Sequence, residues 1–347
     1  MIKTYQVQIA FILLSLCTVF VNKYVLTILK FTYPTIFQGW QTLVGAIVLR
    51  LLCSHKKIKL NFTTVHRNDL FRSFPCLILF VISIYSGSKA LSKLPIPIFL
   101  VLHSLTSLIT MIGEVAIHRR VVFGIKYILV MLSMASAVMA ARQDIFLNPV
   151  AYKWMIVHIL SSGVMNVWSS VSESKVSAIE NLFMKYVFSV VILAPSSVFL
   201  GDALAARNFE YLYFYKFYVG CVFSGVYGVF LNLCTIRLKA RENTNFISNE
   251  EFMESIAKIF TAFLSIFVFG NTFPATGIFW MVVNFGAVTF LSYISWSQHR
   301  TIITTATMSP PHLLHSSPRQ QSPPPPSPPQ QQQVTIDNHS NTLNASS

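Results

Sequence analysis

The sequence predicts an all-α polytopic membrane protein with ten transmembrane helices. Of its 347 residues, 53% are hydrophobic and only 11% are charged, and the mean hydropathy is +0.57. Soluble globular domains do not have this composition. Apolar runs of about 20 residues, the length that crosses a bilayer, recur along the chain as far as residue 297.

Ten such runs precede a polar C-terminal segment. They cover residues 6–29, 34–53, 71–91, 94–117, 121–141, 150–170, 181–200, 214–236, 248–270 and 274–297. Several contain Pro, Gly, Ser or Thr, which a helix bundle tolerates because neighbouring helices satisfy the freed backbone groups. The first run has no clear small-residue cleavage site, so we interpret it as a retained helix.

The Lys and Arg residues lie between the apolar runs and predict the topology. With the N-terminus in the cytosol, the cytosolic loops hold more than twice as many of them as the opposite side. This bias favours two cytosolic termini, and it explains the net charge of +14 without nucleic acid. The five cysteines form neither a disulfide framework nor a CxxC pair, and we expect no metal and no cofactor.

The turn at Asn148-Pro149 divides the spans into two groups of five. Because five is odd, the second group enters the membrane from the opposite side, as in the inverted repeats of transporters. We therefore expect residues 1–145 to form the first half and residues 146–300 the second. Residues 301–347 are rich in Pro, Gln and Ser and predict a disordered cytosolic tail.

The ninth apolar run, 248–270, carries charges that are unusual for a membrane helix. Its first half contains Glu250, Glu251, Glu254 and Lys258. Glu254 and Lys258 are four residues apart, so they share a helix face and can pair. Charges at this depth usually face a bundle interior or a wet cavity. Either Glu254 only neutralises Lys258 there, or Lys258 awaits an anionic substrate.

The first two spans carry a series of short motifs. Asn22-Lys23 precedes a hydrophobic stretch, Phe31 and Pro34 follow in an F-x-x-P pattern, and Gln41 lies in the second span. This order resembles the nucleotide-sugar transporters of the drug/metabolite transporter superfamily. The resemblance continues through Gly87–Leu91, Leu105-Thr106, Gly113-Glu114, Ser224-Gly225, Lys258, Phe269-Gly270 and Gly286, and so covers about residues 6–297.

Further stretches are similar to one branch of that family. Residues 185–191, Gly201-Asp202 and residues 211–215 resemble the transmembrane protein 241 branch. The resemblance implies ten helices, cytosolic termini, a Golgi location, and exchange of a cytosolic nucleotide sugar for a lumenal nucleoside monophosphate. For this branch the implied substrate is UDP-N-acetylglucosamine, with GDP-mannose or another nucleotide sugar as the alternative.

Two departures from the family pattern bear on the substrate. GDP-mannose carriers have a GALNK motif in the ninth span, of which residues 254–258 keep only Lys258. Their FYNN motif, whose asparagines read guanine, is replaced by the sequence FMKY at residues 183–186. A site built to hydrogen-bond a base loses much of its affinity for that base when the hydrogen-bonding side chains are missing. The sequence therefore favours a uridine sugar.

A nucleotide sugar needs cations for its diphosphate. Lys258, Lys185 and Lys23 lie within spans and are the candidates, because an ammonium group is a compact charge that can release one anion for another. Lys185 and Lys23 lie near the ends of their spans. Snorkelling to the membrane interface is therefore an equally good interpretation of those two.

The base and the sugar need stacking and hydrogen bonds. Tyr186 and Tyr227 are candidates to stack on uracil, although ordinary packing explains tyrosines more often. Hydrogen-bond candidates are Asn22, Gln41, Ser255 and Asn232, and Glu254 completes the proposed set as the partner of Lys258. His103 and His158, without acidic or Cys neighbours in sequence, are expected to hydrogen-bond between helices.

Two other classes of protein are alternatives to a carrier. The chain has no GxxxxGK[ST], GxGxxG or HExxH motif and no pair of intramembrane aspartates, so the sequence does not predict an enzyme. A non-transporting membrane scaffold of the same fold stays open, because most family motifs are missing. The expected partners are a nucleotide sugar, a nucleoside monophosphate and the lipid bilayer, and not nucleic acid. Whether the chain forms a homodimer is left open.

Overall fold

The described part of the chain is helical throughout. The computed structural model describes residues 2–55, 67–118, 124–144, 148–172, 176–240, 249–270 and 272–308. Within these ranges it contains α-helices and one π-helical segment, and no strand. The all-α class is therefore confirmed for this part of the chain. Of the tail predicted over residues 301–347, residues 301–308 are helical and belong to the last helix, and the rest, from 309 onward, lies outside the described residues.

The helices follow one another with short connections. In chain order they are α1 (Ile2–Lys23), α2 (Pro34–Ser54), α3 (Arg67–Lys93), α4 (Ile96–His103), α5 (Thr106–His118), α6 (Gly124–Arg142), α7 (Pro149–Val171), α8 (Ala178–Phe199), α9 (Asp202–Ala206), α10 (Tyr215–Lys239), α11 (Glu250–Phe269) and α12 (Ala275–Met308). A π-helical segment, Tyr24–Ile28, continues α1.

Nine helical stretches within the described ranges are long and apolar enough to cross a membrane. Helix α7 has 23 residues, which is long enough, but it is less apolar than those nine. Large apolar side chains such as Phe260 and Phe267 are exposed on the outer surface, where lipid would cover them. The structure supports a polytopic helical membrane protein, and the count of ten spans stays a prediction.

The span expected over residues 94–117 is found as a candidate membrane span, Ile96–Ile117, but it is not one continuous helix. Helices α4 and α5 are separate, because a turn at Ser104 and Leu105 interrupts them. The Ser104 hydroxyl is buried and donates a hydrogen bond to Asn284 Oδ1 of α12 at 2.9 Å. Irregular backbone at membrane depth is tolerated where protein surrounds it. The interruption makes His103 the last residue of α4.

Helices from the two expected halves interlock. Helix α1 packs against α10 and α11, and helix α3 packs against α7 and α8. Helix α2 lies against α8 and α10, α4 lies against α11, and α5 lies against α7. The interior of the bundle is therefore lined by helices from both parts of the sequence.

Aromatic packing closes one end of the bundle, which we call the Phe31 end. The Phe31 ring lies 5.0 Å from that of Phe209 and 4.8 Å from that of Phe217, centroid to centroid. The Tyr33 hydroxyl donates a hydrogen bond to Ala205 O at 3.2 Å. The connection between α1 and α2 is thereby joined to the segment between α8 and α10.

Polar contacts reinforce the Phe31 end. The Thr35 hydroxyl donates to Asp202 Oδ2 at 2.5 Å, which ties α2 to α9. The buried ammonium group of Lys23 donates to Leu91 O at 2.8 Å and to Leu94 O at 2.7 Å. Lys23 thus satisfies carbonyl groups at the C-terminal end of α3, which have no partner within their own helix.

Helix α11 has well-defined ends. The Asn249 side chain caps its first turn by accepting a hydrogen bond from the backbone N–H of Phe252 at 2.9 Å. Gly270 follows its last residue with φ at +62°, a left-handed conformation that glycine adopts without strain. These caps fix the position of the charged residues in its first half.

Candidate functional site

The ion pair expected on α11 is present. Lys258 Nζ lies 2.7 Å from Glu254 Oε1. The two side chains differ in accessibility, since 42% of the Glu254 side chain is exposed but only 11% of the Lys258 side chain. The carboxylate therefore lies between the ammonium group and the accessible space.

The exposed part of the Glu254 side chain lies on the inner side of α11. Phe260, Leu264 and Phe267 are exposed and mark the outer side of α11. With 3.6 residues per turn, Glu254 and Lys258 point away from that side, toward the neighbouring helices α1 and α4. An accessible carboxylate on the inner side of a packed helix indicates a water-filled space, which is where membrane proteins place their charged residues.

Two histidines extend the ion pair across the bundle. His103 Nε2, at the end of α4, lies 3.8 Å from Glu254 Oε1. The His103 ring stacks on that of His158 in α7, with centroids 5.1 Å apart, and Phe99 stacks on His158 at 5.6 Å. Helices α4, α7 and α11 thus meet at one polar cluster of Glu254, Lys258, His103 and His158.

Hydrogen bonds fix the orientation of His158. Its Nδ1 lies 2.9 Å from the carbonyl oxygen of Ser83 in α3. A carbonyl only accepts, so Nδ1 carries the hydrogen and Nε2 is left as an acceptor in the neutral ring. A Cβ atom at Gly87 would lie 2.9 Å from this ring, so the glycine provides the space that His158 occupies. The expected hydrogen bond between helices is confirmed for His158.

A second group of polar side chains lies along α10. The Ser224 hydroxyl donates to Asn22 Oδ1 at 2.5 Å, and Gln41 Nε2 donates to Ser224 O at 3.3 Å. Eight residues further along the same face, Asn232 Nδ2 donates to the Tyr186 hydroxyl at 3.2 Å. We call these five residues the α10 polar strip. Four of them are sequence candidates, which the structure brings together.

Lys185 lies beside one end of this strip. Its ammonium group is 5.5 Å from the centroid of the Phe80 ring in α3, a cation–π distance. The Phe80 ring is in turn 6.4 Å from that of buried Tyr186. Lys185 is therefore placed next to the residues that could receive a base.

Three candidates are placed away from both groups. Ser255 is buried and donates to Glu251 O of its own helix at 2.9 Å. Tyr227 stacks on the exposed Phe223 with a centroid distance of 5.4 Å, toward the outer surface. Lys23 is engaged by the two carbonyl groups at the Phe31 end. Its buried ammonium group does not snorkel to the interface.

Sequence reasoning assigned no site role to His103, His158 or Ser224. The two histidines belong to helices that are distant in sequence, and only tertiary packing brings them to Glu254. Ser224 appears in the motif series, but the motif does not reveal its contacts with α1 and α2. Helix α1, which carries Asn22 of the polar strip, packs against both α10 and α11, so it connects the strip with the helix that carries the charged pair.

A multi-pass helical bundle with a charged cluster between its helices is an arrangement found in membrane carriers. No protein-family model matches the chain. The UDP-N-acetylglucosamine transporter TMEM241 homolog of Xenopus laevis is 36% identical over 267 residues, which cover 77% of this chain and 88% of the relative. The UDP-N-acetylglucosamine transporter TMEM241 of Mus musculus is 37% identical over 236 residues, covering 65% and 78%.

A GDP-mannose transporter of Chaetomium globosum is more distant, with 26% identity over 250 residues that cover 65% of this chain and 63% of the relative. The chain therefore belongs to the TMEM241 group of the nucleotide-sugar transporter family. The family resemblance seen in the sequence is confirmed. These relatives are named as transporters, which agrees with the prediction that the chain is not an enzyme.

Proposed function

We propose that this protein carries UDP-N-acetylglucosamine across the Golgi membrane into the lumen in exchange for UMP. The structural observation that carries the proposal is the water-accessible Glu254–Lys258 pair on the inner side of a membrane-length helix. The names of the TMEM241 relatives supply the substrate. An interior cation fits a substrate whose diphosphate must leave water during transport.

The two polar groups suit the two parts of such a substrate. Lys258 binds the diphosphate, and the α10 polar strip offers amide and hydroxyl groups to the base and the sugar. Lys185 and Tyr186, next to the strip, provide a further cation and an aromatic ring. The charged cluster lies within one chain, so this assignment does not depend on a homodimer.

Helix packing supports a fold of ten spans in two inverted halves, residues 1–145 and 146–300. If each span of the first half is equivalent to the span five places later, α1 corresponds to α7 and α3 corresponds to α10, so the contact of α1 with α10 should be repeated as a contact of α7 with α3. In the same way α5 corresponds to α11, so the contact of α5 with α7 should be repeated as a contact of α11 with α1. All four pairs are in contact, as a two-fold relationship between the halves requires.

Transport by alternating access is supported by a difference between the two ends of the helix bundle, one of which is closed while the other is accessible. The Phe31 end is closed, whereas Glu254 lies in the second turn of α11, near the opposite end, and is accessible. With both termini in the cytosol, the Phe31 end faces the lumen. The conformation is then one that accepts nucleotide sugar from the cytosol.

The test is uptake by purified protein in liposomes that contain UMP, with a panel of labelled nucleotide sugars outside. We expect exchange of UDP-N-acetylglucosamine, and loss of that exchange in Lys258→Ala. The matched control is Lys239→Ala, which breaks an ion pair with Glu250 (3.1 Å) at the end of α10. Folded wild-type protein that exchanges none of the panel would instead indicate a scaffold of the same fold.

GDP-mannose is the second candidate, because the more distant relatives are named as its transporters. Residues 183–186, FMKY, lack the asparagines that would read guanine. Within the same panel we therefore expect UDP-N-acetylglucosamine to compete more strongly than GDP-mannose. If GDP-mannose competed more strongly than UDP-N-acetylglucosamine, GDP-mannose would be the proposed substrate instead.

A further inference from the structure

Glu254 screens Lys258 from the space that a substrate would enter. The carboxylate is the more exposed partner, 42% against 11%, and its Oε1 contacts the ammonium group at 2.7 Å. An incoming phosphate meets this like charge first, and the repulsion favours a bound state in which the carboxylate has moved away from Lys258. The carboxylate and the substrate phosphate therefore compete for the same ammonium group.

His103 lies where a displaced carboxylate would go. Its Nε2 is 3.8 Å from the same oxygen, Glu254 Oε1, so a change in side-chain torsions brings the two to hydrogen-bond distance. The neutral ring with hydrogen on Nε2 donates such a bond without any change of charge. Stacking on Phe99 and His158 holds the ring in place, and its buried Nδ1 has no hydrogen-bond partner among the described residues.

We propose that Glu254 is an internal counter-anion, which neutralises Lys258 in the unloaded carrier and moves to His103 when a substrate phosphate binds. This inference rests on the proposed function. Enclosing an unpaired cation within the bundle is costly, so a carrier whose lysine had no partner would change sides only when loaded. Glu254 removes that restriction. The unloaded carrier can therefore return, and net uptake accompanies exchange.

Glu254→Gln tests the counter-anion directly. Labelled UDP-N-acetylglucosamine is offered to liposomes that contain either UMP, which reports exchange, or buffer alone, which reports net uptake. We expect wild-type protein to perform both. In Glu254→Gln, net uptake falls at least about tenfold relative to exchange, the scale set by leaving an enclosed charge unpaired. The control is Glu250→Gln. Glu250 lies on the same helix as Glu254 but pairs with Lys239 of α10, so this variant should leave the ratio of net uptake to exchange unchanged.

His103 is tested by a pair of variants. His103→Phe keeps a ring for stacking but offers no hydrogen bond, so the displaced carboxylate loses its partner. We expect the KM for exchange to rise about tenfold, as for a lost hydrogen bond to a charged group. His103→Gln restores an N–H donor and returns the KM toward the wild-type value. A merely structural role would change the melting temperature and leave the KM unchanged.

The results separate the two proposals. Wild-type protein without uptake in either mode defeats the proposed function itself. Wild-type exchange together with an unchanged ratio of net uptake to exchange in Glu254→Gln defeats only the counter-anion. Equal loss of both modes in folded Glu254→Gln defeats it as well. If that variant does not fold, the KM values of the two His103 variants decide.

Discussion

The ring of Tyr186 lies directly over Gly45, and a Cβ atom at Gly45 would be only 2.8 Å from Tyr186 Cε2. Tyr186 is buried, and its hydroxyl accepts the hydrogen bond from Asn232. The contact between α2 and α8 therefore leaves no space for a side chain at Gly45. It also sets the position of one end of the α10 polar strip.

Gly45→Ala should displace Tyr186 and weaken substrate binding. The added methyl group overpacks the contact, which typically costs about 1–3 kcal/mol, and the movement disturbs the bond to Asn232. We expect a lower melting temperature in detergent and a higher KM for UDP-N-acetylglucosamine. At Gly286 an added Cβ atom would meet no atom of the described part of the chain within 4 Å, so Gly286→Ala should change neither. An unchanged KM in Gly45→Ala would remove Tyr186 from the site.

Phe31→Ala should loosen the Phe31 end. Removing a buried phenylalanine ring costs about 3–5 kcal/mol, here in the conformation whose end is closed by Phe209 and Phe217. Cys221 is buried one turn after Phe217 on α10, so its reaction with a water-soluble maleimide should become faster. Mass spectrometry of the labelled peptides measures this rate.

Two controls accompany the Phe31 experiment. Phe267→Ala removes a ring that is exposed on the outer side of α11 and should not change the labelling of Cys221. Cys76, which is buried near the start of α3, reports on the opposite end and should keep its rate. Equal acceleration at both cysteines would indicate general unfolding and not opening of one end.

Asn284→Ala should destabilise the bundle. Asn284 is fully buried, accepts from the Ser104 hydroxyl and donates to the backbone oxygen of Ser133 at 2.8 Å. It thereby links α12 with α6 and with the turn between α4 and α5. We expect the free energy of unfolding to fall by about 1 kcal/mol. This value lies between the average for a hydrogen bond between membrane helices and the cost of a buried group left without a partner. Thr289→Ala, which loses a bond only to Phe285 O of its own helix, should lower the melting temperature less.

Lys23→Met should reduce stability and leave substrate affinity unchanged. Methionine fills a similar volume but leaves Leu91 O and Leu94 O without a donor. The melting temperature in detergent should fall, while the folded fraction retains the wild-type KM. The control is Lys89→Met. The Lys89 ammonium group lies over the Tyr85 ring, 5.9 Å from its centroid, so this variant removes a lysine of the same helix end without removing the donors to Leu91 O and Leu94 O. A raised KM without loss of stability would return Lys23 to the binding site.

Local sequence rules were enough for part of the site. The membrane class follows from composition, and the ion pair of Glu254 and Lys258 follows from their spacing of four residues on a helix. Polar residues within apolar spans also marked Asn22 and Gln41 as hydrogen-bond candidates, and both make hydrogen bonds between helices. In each case the signal lies within one helix, so no knowledge of the helix packing was needed.

The remaining features depend on contacts between distant helices. The carbonyl groups that bind Lys23 are 68 and 71 residues away in sequence. His103 meets His158 only because α4 and α7 pack together. No Gly or Pro marks the interruption at Ser104, which is stabilised by its bond to a residue 180 positions later. Such partners carry no local sequence signal.

Glu254 and Lys258 carry opposite charges and lie 2.7 Å apart, so the pair has no net charge when the barrier on one side opens and the other closes. A neutral pair contributes no electrical work when its exposure changes from one side of the membrane to the other. Voltage therefore acts on the cargo, so it should drive or oppose net uptake and leave the exchange of similarly charged nucleotides unaffected.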